Sequence, residues 1–228
     1  MTENFVPLPE PLLSLMGGAE RGAITNFYGP PGSGKTGLCL LAAIECIKNR
    51  GKVVYIDTEG GLSQERISQI SGGRHKDILK SIILMEPQDF AEQGRMIKSL
   101  KESVPDMIIL DSAVNLYRLE CADPAKEAIE LNKDLSVQLS ILSSIARKGD
   151  IPVILTSHIY KNHDTGENCV IGGDAIKYWS KAMILVEKTG KMSERKATIE
   201  KHRSLQEGAS AKFMIVNEGI KPSGFRIF

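Results

Sequence analysis

The sequence predicts an α/β fold: a mostly parallel, twisted sheet with helices on both faces and an antiparallel extension toward the C-terminus. Three observations carry this. Short β-rich runs alternate with longer amphipathic stretches between residues 23 and 157. A glycine-rich turn, Gly29-Pro30-Pro31-Gly32-Ser33-Gly34-Lys35-Thr36, joins the first run to a helical segment. After about residue 180 the helical period disappears and strand-like runs follow one another directly.

Residues 1–20 read as a lead-in segment and 21–228 as one core domain. Strands are predicted over 23–28, 52–57, 81–85, 107–111 and 151–157, apolar enough to be covered on both faces. Helices are predicted over 38–49, 64–70, 90–102 and 125–148; Gly51 follows the first and Gly149 the last, as helix stop signals. Residues 182–187, 196–200 and 212–216 read as successive strands turning at Gly190 and Gly208, an antiparallel extension of the same sheet. Residues 162–173, with Gly166, Gly172 and Gly173, read as the longest loop, and loops of that length in a compact domain are usually functional.

Composition narrows the function classes. A net charge of +1 with 25% charged residues gives no global attraction to polyanions, so nucleic-acid affinity has to come from a local patch. Cys39, Cys46, Cys121 and Cys169 show neither C-x-x-C nor zinc spacing and read as reduced thiols. No signal-peptide pattern opens the chain, and the longest apolar run, 38–47, is too short for a membrane and carries Glu45. The expectation is a cytoplasmic protein with no membrane partner.

The glycine-rich turn is a complete phosphate-binding loop in its proper context, strand before and helix after. Its glycines let backbone N–H groups turn toward phosphates, and the helix N-terminus adds partial positive charge. Lys35 is predicted to reach the β- and γ-phosphates of ATP and Thr36 to hold Mg²⁺, with Gly37 completing the nucleotide contacts. Met107-Ile108-Ile109-Leu110-Asp111 is an apolar strand ending in an acid, which places Asp111 beside the loop as the second metal residue. Tyr55-Ile56-Asp57-Thr58-Glu59 ends at the same sheet edge. Glu59 is read as the residue that orients or deprotonates an attacking water, and Asp57 equally as catalyst or helix cap. His158, ending the fifth strand, is read as a γ-phosphate sensor at the head of the long loop.

In this order (phosphate loop, Y-I-D-T-E-G, I-I-L-D-S, T-S-H, glycine-rich loop) the motifs resemble the ATPase core of the RecA/RadA recombinase superfamily, from about Leu12 to the C-terminus. Residues 111–118, Glu65-Arg66 and Ile171-Gly172-Gly173 resemble its archaeal and eukaryotic branch most. The resemblance implies a RecA-like P-loop fold, Glu59 as hydrolytic glutamate, Asp111 as Walker B acid and Arg66 stacked on adenine. It makes 117–125 a first DNA loop with Arg118 as phosphate contact, and 159–173 a second with Lys161, Asn162 and His163 on the strand backbone. It also implies a role in DNA repair and recombination, with weak DNA-dependent ATPase activity. The partners implied are single-stranded DNA and the main recombinase, with a junction resolvase or replication and repair proteins and a homo-oligomer as further candidates. Two departures stand out: no Phe-x-x-Ala motif precedes the loop, and His158 stands where active recombinases carry glutamine. Three alternatives stay open: a helicase-type motor, for which Arg203 is the finger candidate, a small-molecule kinase, and a non-catalytic adaptor.

Overall fold

The computed structural model describes residues 4–223 except 103, 104, 124, 162–165 and 167. Its lead-in is a two-stranded antiparallel ribbon, β1 (Phe5–Pro7) on β2 (Gly18–Glu20), with the short helix α1 (Leu12–Met16) between. Then follow β3 (Ile24–Gly29), α2 (Lys35–Lys48), β4 (Val53–Asp57), α3 (Gln64–Ile70), α4 (His75–Leu79) and β5 (Ile82–Met85). The chain continues through α5 (Phe90–Ser99), β6 (Met107–Asp111), α6 (Asn115–Cys121), α7 (Ala128–Gly149), β7 (Val153–Lys161), β8 (Asn168–Val170) and α8 (Gly173–Trp179). It ends in β9 (Ala182–Lys188), β10 (Glu194–His202), β11 (Ser210–Val216) and β12 (Gly219–Pro222).

The main sheet runs β12-β11-β10-β9-β3-β7-β6-β4-β5, with β8 hydrogen-bonded to the outer end of β7. Strands β9 to β5 are parallel; β10, β11 and β12 add antiparallel to the β9 edge, as the change of period predicts.

Alternating side chains explain why these strands read as continuous apolar runs. Val54, Ile56, Ile108, Leu110, Val153 and Leu155 face one core with Phe90, Leu131, Leu135, Leu139, Leu142 and Ile176 of α5, α7 and α8. Val53, Tyr55, Met107, Ile109 and Ile154 face the other, with Leu38, Leu41 and Ala42 of α2. Leu8, Leu12 and Met16 join the second core, so the lead-in ribbon and α1 close that face. Leu139 is fully buried on α7, and Leu139→Ala is expected to cost about 2–5 kcal/mol, read as a lower denaturation midpoint at constant slope. A loss under about 1 kcal/mol would mean that α7 does not pack as described.

Several segments differ from expectation, the short helices α4 and α8 among them. Residues 115–121 form helix α6, because Leu116 and Tyr117 are buried and the Tyr117 hydroxyl donates to Asn132 Oδ1 at 2.9 Å. The first part of 117–125 is therefore helix where a loop is expected. Strand β7 runs on to Lys161, and residues 168–170 pair back onto it, which shortens the loop expected over 162–173. Strand β12 adds one more antiparallel partner beyond 212–216.

Candidate active site

The loop between β3 and α2 is shaped by what cannot fit. A Cβ on Gly29 would sit 2.1 Å from the Val186 carbonyl oxygen, so only glycine lets β3 turn there. Gly34 caps α2 in the left-handed region at φ 103°, and the helix has no side-chain cap. The first N–H groups of α2 are thus directed into the loop with the positive end of the helix dipole behind them. Lys35, only 6% exposed, folds its ammonium back to donate to the carbonyls of Gly29 (3.0 Å) and Pro30 (3.1 Å). Burial pushes its pKa down, while the carboxylates of Glu59 and Asp111 act to hold it up. The Ser33 hydroxyl is buried inside the loop without a hydrogen-bond partner among the described residues. A Cβ on Gly37 would meet nothing within 4 Å, so no steric demand for glycine exists at that position.

Asp57 and Asp111 end neighbouring strands as register partners. Their roles separate by what each carboxylate holds. Asp57 accepts from the backbone N–H of Glu59 (3.0 Å), Gly61 (3.2 Å) and Leu62 (2.9 Å), which makes it the cap of its own loop. Asp111 accepts from Thr156 Oγ1 (2.5 Å) and Tyr55 Oη (2.8 Å). Burial raises its pKa, and hydrogen bonds from Thr156, Thr36 and Tyr55 act to keep it ionised. A hydroxyl at Thr36 beside one buried carboxylate suits Mg²⁺, which keeps most of its waters and leans on substrate phosphates. Among the described residues no group of three or more His, Cys, Asp or Glu forms a cage for a metal.

Glu59, exposed at the sheet edge, meets His158 Nε2 at 2.6 Å through its Oε1. The hydrogen bond to His158 comes first among the causes that hold the Glu59 carboxyl below its ordinary pKa. These two line a cleft of about 370 Å³ together with Pro31, Thr58, Asn115, Arg118 and Ile159. One mouth therefore carries the loop, the acid–histidine pair and an exposed arginine. Arg66 lies apart from it: its guanidinium donates to the carbonyls of Val216 and Asn217, both at 3.2 Å, and ties α3 to the β11–β12 turn. Lys161 is exposed at the far end of β7, and Asn162 and His163 lie outside the described residues. Lys201 donates to the carbonyls of Lys177 and Ser180 at the end of α8, and Arg203 pairs with Glu20, so both are engaged within their own chain.

The family model Rad51 matches residues 12–223. The chain belongs to the Rad51 family. Among its Rad51-family relatives is the DNA repair and recombination protein RadB of Methanobrevibacter smithii, 41% identical over 215 residues and 90% of each chain. RadB of Methanosphaera stadtmanae is 41% identical over 224 residues, 95% of each chain. The crystal structure of the RadB recombinase matches with a TM-score of 0.80 at 34% identity, over 94% of this chain and 97% of that one. The resemblance drawn from the motifs, and the α/β sheet with its antiparallel extension, are thereby borne out.

Sequence reasoning missed the residues that stitch this Rad51-family site together. Thr58 Oγ1 donates to the Ser112 carbonyl (3.0 Å) and accepts from the Ser112 N–H (2.9 Å), and Asn115 Nδ2 donates to the Thr58 carbonyl (2.8 Å). Tyr55 and Thr156 orient Asp111 from the strands on either side of it. Thr156 carried a signal, since it lies two residues before His158 and so on the same face of β7. Tyr55 carried none, because an aromatic in a buried strand reads as core.

Proposed function

We propose that the chain binds ATP·Mg²⁺ in the β3–α2 loop and acts on single-stranded DNA as an accessory of recombination and repair. The observation that carries this reading is the convergence of Lys35, Asp111, Glu59 and His158 on one edge of the sheet, with Arg118 in the cleft that Glu59 and His158 line. Its membership of the Rad51 family and likeness to RadB proteins support the recombination role. Lys35 neutralises phosphate charge while Thr36 and Asp111 hold the metal, which when bound supplies further charge neutralisation to the phosphates. Glu59 orients water at the cleft and accepts its proton, and His158 fixes the carboxylate that does so. Hydrolysis is slow, and the nucleotide serves mainly as a switch read through Arg118 and β7. The main recombinase is the protein partner; engagement of Arg203 by Glu20 favours this accessory reading over a motor with a free finger.

The test is fluorescence anisotropy of single-stranded DNA with ATP, with ADP and without nucleotide, across a salt series. Binding is expected to shift with nucleotide and to fall in Arg118→Ala, with a log–log salt slope shallower by about one. DNA binding that is absent in every nucleotide state would overturn the mechanism.

The Glu59–His158 pair also sets a pH dependence. Because folding depresses the Glu59 pKa, the pair adds stability above the unfolded value and loses it as pH falls through the depressed folded value. The acid limb of ATP turnover is expected below the ordinary glutamate value of 4.5, and to move up in His158→Ala. An acid limb unmoved by that substitution in a pH–rate profile would remove His158 from the pair's function.

A further inference from the structure

The β9–β10 hairpin reaches across to the outside of the phosphate loop. Lys188 and Arg195 are direct register partners on its two strands, so their side chains share one face. Arg195 Nη2 donates to the Gly32 carbonyl at 3.1 Å, while Nη1 donates to the Glu194 carbonyl at 2.9 Å. A Cβ on Gly32 would lie 3.2 Å from Lys188 Nζ and 3.5 Å from Lys188 Cε, so the lysine packs against the bare Cα of the loop. Two like charges are thus brought together on one peptide, and among the described residues neither has a carboxylate within ion-pair reach. Like charges directly opposite on paired strands repel, and a bound polyphosphate would relieve that repulsion.

The hairpin is held firmly enough to act as a mount. Glu194, 3% exposed, accepts from the Thr189 hydroxyl at 2.7 Å and from the Ser223 hydroxyl at the end of β12. The Ile215 N–H donates to the Ser193 carbonyl at 2.9 Å, tying the turn to β11. Within the loop, the Ser33 N–H donates to the Pro30 carbonyl at 3.3 Å, closing a turn over Pro31 and Gly32 whose last peptide, Gly32–Ser33, carries the Gly32 carbonyl. A guanidinium on the Gly32 oxygen polarises that peptide and holds the turn in its phosphate-accepting shape.

We propose that Arg195, seconded by Lys188, is a positioning residue that sets the phosphate loop's affinity for the polyphosphate of a nucleotide. The proposal rests on the nucleotide reading above. Arg195 acts through Gly32, so its effect falls on ATP and ADP alike and not on the hydrolytic step.

The experiment titrates the full chain with fluorescently labelled ATP and ADP at low and high salt, and records thermal unfolding without nucleotide. Arg195→Gln is expected to weaken both nucleotides about tenfold, with kcat unchanged and the nucleotide-free midpoint within about two degrees of wild type. Arg195→Lys is expected to recover most of that affinity, because an ammonium still reaches the carbonyl. Lys188→Met is expected to weaken binding about threefold, more at low salt than at high. Nucleotide affinity of Arg195→Gln equal to wild type overturns the proposal. So does a loss that lysine does not rescue and that comes with a lowered nucleotide-free midpoint, since the arginine is then only a structural prop. Failure of the wild type to bind ATP sinks the nucleotide reading itself, and this proposal with it.

Discussion

Lys35→Ala is expected to raise the dissociation constant for ATP at least about 100-fold, the scale of losing charge-assisted bonds to two phosphates. The ammonium is already desolvated and held between two loop carbonyls, so much of its ordering cost is met before phosphate arrives. Alanine also strips the cation from Asp111 and Glu59, so the unliganded variant is expected to melt below wild type. Titration with labelled ATP checks the first effect, and affinity within threefold of wild type would exclude Lys35 from phosphate binding. Anisotropy on single-stranded DNA with the same variant separates a switch from an adaptor. A switch loses its response to ATP, whereas an adaptor keeps its partner binding unchanged.

The second large effect is expected from Glu59→Gln. The amide occupies the same volume and still meets His158, but it cannot take a proton from water. Turnover is expected to fall about 10²–10⁴-fold, the range associated with loss of a positioned general base. ATP affinity is expected to stay within a few-fold of wild type, because Lys35 and the α2 N-terminus are untouched. Single-turnover hydrolysis alongside equilibrium binding measures the two separately. An unchanged hydrolysis rate would strip Glu59 of its role and leave it as the partner that orients His158.

The parts of the fold that were legible are those where one local rule operates. The inner strands β4 and β6 announced themselves because both their faces are covered and every residue of each is buried. The edge strand β5 instead leaves Ile83 and Leu84 exposed, and β3 and β7 bury Asn26 and Thr156 mid-run. The loop was legible because close approach at Gly29 and the left-handed cap at Gly34 leave little choice of residue. The lead-in was harder, since Pro7, Pro9 and Pro11 obscure any period while Leu8, Leu12 and Met16 are buried only through tertiary contact. Helix α6 reads as loop locally and is helical because Leu116 and Tyr117 find cover under α7. In the site, strand ends placed Asp57, Glu59 and Asp111 at one edge, but only geometry divided their roles. Glu59 pairs with a histidine 99 residues away, while Asp57 is consumed by its own loop. The attachment of Arg66 to Val216 spans 150 residues and has no local trace at all.

One strand, β7, holds two carboxylates of this site in turn. Thr156 holds Asp111, His158 holds Glu59, and Lys161 stands exposed where β8 pairs with the outer end of the strand. Its root is clamped between β3 and β6, so the strand behaves as a cantilever with its load applied near the support. From His158 to Lys161 the lever arm is roughly 10 Å. A tilt of a few degrees at the histidine then sweeps the tip by about half an ångström, with no hydrogen bond of the root broken. On the switch reading proposed above, transmission along such a beam needs no unfolding and no new contacts along its length, and shortening the β7–β8 ribbon is expected to quiet it.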